Sequence, residues 1–96
     1  MDKYEIMFIV KTTLEESVVK STVESLTSII TDMKGKVENS KDMGQRELAY
    51  PIKKEISGFY YVLTVEASHE AIAEFDRKAR LNENILRHQI IKLDEE

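Results

Sequence analysis

The sequence predicts an α+β fold: a four-stranded antiparallel sheet with two helices on one face, in the order β-α-β-β-α-β. Three observations predict it. Strand-like runs rich in β-branched and aromatic residues recur along the chain, two amphipathic stretches with helical spacing separate them, and no Ser/Gly linker, repeat or low-complexity tract interrupts the series. With 96 residues, 42% hydrophobic and 33% charged, the chain belongs with globular domains rather than disordered ones, and residues 1–96 read as one domain.

The first strand runs from about Lys3 to Val10, where Tyr4, Ile6, Phe8 and Val10 alternate with positions that turn from charged to apolar, as in a central strand covered on both sides. Thr13-Leu14-Glu15-Glu16 reads as a capping box that opens a helix reaching about Met33. Val19, Val23, Leu26, Ile30 and Met33 form its apolar stripe, and Gly35 ends it at a position suited to a left-handed residue. Lys36 to Tyr50 is polar and reads as a long twisted edge strand, with a bulge at Gly44 and with Lys36, Lys41 and Arg46 blocking unwanted pairing. Pro51 ends that strand, and residues through Gly58 form a hairpin connection.

Phe59 to Ala67 is the strongest strand in the chain. Polar Thr64 and Glu66 turn Leu63, Val65 and Ala67 toward the helices, with Phe59 and Tyr61 on the same side. Tyr60 and Val62 then join Met7 and Ile9 on a partly apolar open face, of the kind that marks a partner. Ser68 caps a second helix from His69 to about Arg80, with Ala71, Ile72, Phe75, Ala79 and Leu81 inward. Ile85 to Leu93 is the last strand; either Leu86, His88 and Ile90 or Ile85 and Ile91 face the helices. Right-handed crossovers leave the ferredoxin-like sandwich as the favoured topology, with the first and third strands in the middle.

The net charge of −4 argues against a general polyanion binder. Its distribution is uneven: residues 1–32 sum to −3, 33–58 to +2, 59–93 to zero, and 94–96 to −3. The absence of cysteine excludes disulfides, thiolate metal sites and cysteine nucleophiles. The longest apolar run, Ile6 to Val10, is far below the ~20 residues a spanning helix needs. With no basic-then-apolar leader at the N-terminus, the cytoplasm is the expected address. There is no Gly-rich phosphate loop, GxSxG, HExxH or CxxC motif, so no catalytic residue is assigned. His69 reads as a helix-start residue, His88 as a half-buried strand histidine, and Glu15 and Glu16 as capping groups. Ser57-Gly58-Phe59-Tyr60-Tyr61-Val62 echoes the third-strand motif of the RRM, but the parity of Phe59 and Tyr61 turns them away from the open face where bases would stack. Arg80 and Lys92 read as plain surface charges, whereas Arg46 and Arg87 lie on strands beside apolar positions.

Tyr4-Glu5, Gly44-x-Arg46-x-Leu48-Ala49-Tyr50-Pro51-Ile52-Lys53-Lys54, Gly58-Phe59-Tyr60 and Leu86-Arg87 together resemble the bacterial small-subunit ribosomal protein S-six (S6) family over essentially the whole chain. The Arg-x-Leu-Ala-Tyr-Pro-Ile-Lys-Lys segment is the most specific part. The resemblance implies a structural, non-catalytic protein of the small ribosomal subunit. It implies binding of the central domain of small-subunit ribosomal RNA together with ribosomal protein S-eighteen (S18), with no cofactor and no small-molecule substrate. Lys3, Arg46, Lys53, Lys54 and Arg87 are then the phosphate candidates, and Leu48, Ala49, Tyr50, Pro51, Ile52 and Tyr60 the partner-facing ones.

Two other classes fit the fold. A regulatory domain that dimerises through its open sheet would need a polar ligand cluster, which the sequence lacks, and an acylphosphatase-type enzyme would need an N-terminal phosphate cradle, which is missing. With no metal-ligand spacing, calorimetric titration with zinc is expected to show no stoichiometric site.

Overall fold

The computed structural model describes residues 1–93, so the acidic Asp94–Glu96 segment lies outside the described residues. The elements are β1 (Asp2–Lys11), α1 (Glu16–Asp32), β2 (Lys36–Ile52), β3 (Glu55–Ala67), α2 (His69–Leu81) and β4 (Ile85–Leu93). The sheet order is β2-β3-β1-β4, antiparallel throughout, with β1 and β3 central, so the predicted ferredoxin-like architecture is the observed one.

The core lies between the sheet and both helices. Ile6, Phe8 and Val10 of β1 and Leu63, Val65 and Ala67 of β3 are at 0% exposure, beneath Leu26 and Ile30 of α1 and Phe75 of α2. Each such large side chain contributes about 1.5–3 kcal/mol through removal from water. Phe8 stacks on Tyr61 with centroids 5.4 Å apart and meets Phe75 at 6.2 Å, so the strand and helix aromatics form one unit. Thr22, the one buried polar residue of α1, donates to the Val18 carbonyl and accepts from Asn84 Nδ2 at 3.2 Å, tying α1 to the turn before β4.

Several local expectations change. The capping box does not form: Glu15 is the N-cap without a side-chain bond, and the Thr13 hydroxyl donates instead to Glu55 across the chain. The left-handed residue ending α1 is Lys34 (φ 67°), one before Gly35. Lys34 N–H donates to Thr31 O and Gly35 N–H to Ile30 O, the paired bonds of a Schellman cap. Gly35 is needed for space, since a Cβ there would lie 2.8 Å from the Ile30 carbonyl oxygen and 3.0 Å from that of Glu66. Met33 and Leu81, expected inward, are 36% and 67% exposed at the ends of their helices. The Ser68 cap is present, its hydroxyl accepting from Ala71 N–H at 3.2 Å.

β2 does not stop at Pro51. It continues to Ile52, because an edge strand tolerates a residue that cannot donate to a ladder. The turn is only Lys53-Lys54, both left-handed (φ 50° and 68°). Gly44 (φ 80°) lies at the expected bulge, where its N–H donates to Asp42 Oδ1 at 2.8 Å.

A bulge also decides the parity of β4. Ile9 pairs with Arg87 and Val10 with Ile85, so Leu86 is the extra residue. Ile85 joins the core and Ile90 packs against it; Leu86 is buried on the opposite side beside Ile9. Ile9 points to the open side as expected but is 3% exposed, because it lies over Gly58, whose Cβ would fall 2.2 Å from Ile9 Cγ2.

Gly35→Ala is expected to cost about 1–3 kcal/mol, since backbone carbonyls cannot withdraw from a new methyl group. Urea unfolding of the variant measures it.

Candidate nucleic-acid interface

β1 ends at Lys11, opposite Gly58, while the β2–β3 hairpin continues beyond that pair. The overhang curls across the end of β1 to reach β4. The Arg87 guanidinium lies over the Tyr50 ring, 5.6 Å from its centroid, and the Lys53 ammonium donates to the Ile85 carbonyl at 3.0 Å. The ring contact contributes about 0.5–1 kcal/mol at such an exposed site. Both contacts hold cations in place without neutralising them.

Arg46 pairs with Gly58 at the base of the overhang, on the open side of the sheet with Tyr60, and Lys54 occupies the turn. Arg46, Lys53, Lys54 and Arg87 thus share one end of the molecule with Tyr50. Lys3 does not join them. It pairs with Glu66 and Leu93 at the opposite end of β1, and its ammonium lies 3.6 Å from Glu38.

The partner candidates divide. Ala49, Tyr50 and Pro51 are exposed on the overhang, whereas Leu48 and Ile52 are half-buried. Tyr60 is half-buried on the open face opposite Ile9. Phe59 and Tyr61 pack against the core, so the sheet offers no RRM-type stacking platform from this pair.

Behind the overhang lies a hydrogen-bonded cluster that sequence reasoning missed. His88 Nε2 is 2.7 Å from Asp76 Oδ1, and Arg80 bonds the other carboxylate oxygen. Arg80, Lys53, His88 and Arg87 line one shallow hollow of about 320 Å³. Arg80 is therefore an oriented cation beside the site rather than an isolated surface charge. The signal was the Asp76–Arg80 spacing of four on α2. The His88 hydrogen bond, followed by Arg80, holds the Asp76 carboxyl below its usual range. Similarly, Arg77 lowers Glu74 through paired bonds of 2.8 and 3.0 Å. Among the described residues, no group of three or more His, Asp or Glu side chains is arranged to hold a metal, and no helix is long and apolar enough to cross a membrane.

These features define a ferredoxin-like protein whose distinctive chemistry is surface chemistry, a preorganised group of cations and an aromatic ring at one end of a sheet. A family model described as Ribosomal protein S6 matches residues 3–92. The crystal structure of 30S ribosomal protein S6 from Thermotoga maritima is similar at 31% sequence identity and a TM-score of 0.90, covering 96% of this chain and 87% of that one. The chain belongs to the ribosomal protein S6 family, and its place is the small ribosomal subunit in the cytoplasm, as a structural constituent.

A carboxyl held low in the folded state stabilises the protein above its unfolded pKa, and that stability is lost as pH falls through the folded value. Asp76→Asn is therefore expected to lower stability modestly near neutrality, by about 1 kcal/mol or less at this partly exposed site. The gap from the parent should begin to narrow only as pH falls below about 4 and go on narrowing toward the lowered folded value. Urea midpoints across pH 3–7 test both parts.

Proposed function

We propose that this protein binds the central domain of small-subunit ribosomal RNA as a heterodimer with ribosomal protein S18. The observation that carries the reading is the hairpin overhang, where Arg46, Lys53, Lys54 and Arg87 share one end of the molecule and Arg87 lies over Tyr50, on a chain of net charge −4. Oriented cations recognise phosphates locally, while the overall charge opposes tight RNA binding by the chain alone. A basic partner supplies the missing neutralisation.

In this reading Arg46, Lys53, Lys54 and Arg87 contact phosphate, with Lys3 a separate contact at the other end of β1. Leu48, Ala49, Tyr50, Pro51, Ile52 and Tyr60 face the partner. Membership of the ribosomal protein S6 family supports the ribosomal setting, and the exposure of Ala49, Tyr50 and Pro51 supports their availability.

The test titrates a central-domain RNA fragment with the protein alone and premixed with S18, at two salt concentrations. Weak binding alone and tight, salt-sensitive binding together are expected. Replacing Lys53 and Arg87 with alanine should weaken the ternary complex and reduce the salt slope by about 2, close to one per lost phosphate contact. Tight sequence-selective binding by the isolated chain, or no binding in either condition, overturns the proposal.

A further inference from the structure

The two edges of the sheet are unlike. β2 carries Lys36, Lys41 and Arg46, is interrupted by the bulge at Gly44 and contains Pro51. Each of these obstructs the approach of a further strand. β4 has fewer such obstacles. From Arg87 to Leu93 it pairs with β1 without a register shift, it holds no Pro or Gly, and no other strand of the described residues pairs with its outer edge. Ile91 on this strand is 46% exposed. A regular strand with a free edge and an exposed apolar side chain is a template for another strand.

The order of residues along β4 suits a second copy of the same strand. Antiparallel pairing about Gln89 sets the two Gln89 side chains opposite each other, His88 opposite Ile90 of the second copy, and Arg87 opposite its Ile91. No cation then faces a cation, and the apolar stem of Arg87 lies along Ile91.

Charge at the two ends of the strand favours the same arrangement. The free edge closes at Ile85, whose carbonyl already accepts from the Lys53 ammonium. A strand running antiparallel to β4 arrives there at its own Leu93, and its sequence continues as Asp94-Glu95-Glu96, of charge −3. Lys53 and Arg87 line the hollow of about 320 Å³ at that point, and Lys54 stands beside Lys53 in the turn. The chain's own acidic segment cannot reach them. Ile85 and Leu93 are the two ends of β4, ~26 Å apart at about 3.3 Å per residue. Three further residues span ~11 Å at most. A second copy brings the acids to the cations, and two-fold symmetry makes the contact twice.

We propose that β4 pairs antiparallel with β4 of a second copy of this chain about Gln89, and that Asp94-Glu95-Glu96 of each copy meets Lys53, Lys54 and Arg87 of the other. The partner is the chain itself, so the proposal stands apart from the RNA and heterodimer reading. An edge contact of this length belongs with weak, transient interfaces.

The experiment uses the full chain, which has no cysteine of its own. Sedimentation equilibrium of the parent at low salt is expected to show an average mass that rises toward the dimer with concentration and falls back when salt is added. Gln89→Cys places two thiols across the two-fold axis, at a separation a disulfide can span, and oxidation should accumulate a covalent dimer. Lys41→Cys, exposed on the other edge, should crosslink at about a tenth of that rate or less. Neutralising the acidic segment with Asp94→Asn, Glu95→Gln and Glu96→Gln should weaken the dimer about tenfold, as should Ile91→Lys, which sets a cation opposite Arg87. A parent that stays monomeric at every concentration overturns the proposal. So does equal crosslinking from the two cysteine positions, a dimer trapped through Lys41→Cys alone, or a neutralised variant that dimerises as well as the parent.

Discussion

Everything in this molecule depends on the burial of β1. All ten of its residues pair with β3, and β4 covers the other edge. Its inward side chains Tyr4, Ile6, Phe8 and Val10 are between 0% and 5% exposed. A one-residue slip would exchange this set for Lys3, Glu5, Met7 and Ile9 and place two charges against the helices. The parity of β1 therefore sets that of β3, and β3 sets the available face of β2. The Phe8–Phe75–Tyr61 unit then docks α2 against the same ladder.

From that one register follow two surfaces of different character. On the open side, Lys11, Arg46 and Arg87 border a patch whose centre, Ile9 beside Leu86, is already closed. On the helix side, α1 and the polar middle of β2 leave aromatic floor uncovered beneath acidic groups. A net charge of −4 conceals this division, because the sum says nothing about which side of a sheet each charge occupies.

The sequence makes the element order, the two central strands and the inner face of β3 legible, because period-two alternation in Tyr4–Val10 and Leu63–Ala67 survives folding unchanged. What escaped it was decided by contacts between distant residues. Thr13 abandons a local cap for Glu55, a competition between hydrogen-bond partners that no window of sequence can settle. The β4 bulge at Leu86 resolves an ambiguity that two apolar pairs left open. Pro51 looked like a stop, yet the free edge of β2 accommodates it. At the candidate interface, residue types were readable from the signature segment, but their grouping was not. Tyr50 and Arg87 meet only because the hairpin outruns β1 at its Lys11 end, and Lys3 is excluded because it lies at the other end of that strand.

The tightest point of the hairpin shows what this arrangement costs. A two-residue turn with both residues left-handed is ordinarily filled by Asn-Gly or a similar pair. Here it holds two lysines at φ 50° and 68°. A side chain with a Cβ in that conformation costs roughly 1–2 kcal/mol per residue relative to the right-handed region. The turn is therefore less stable than its geometry allows, and the chain trades folding stability for two positive charges at its tip. Such a trade is unexpected of a connector and familiar at positions kept for function rather than for folding.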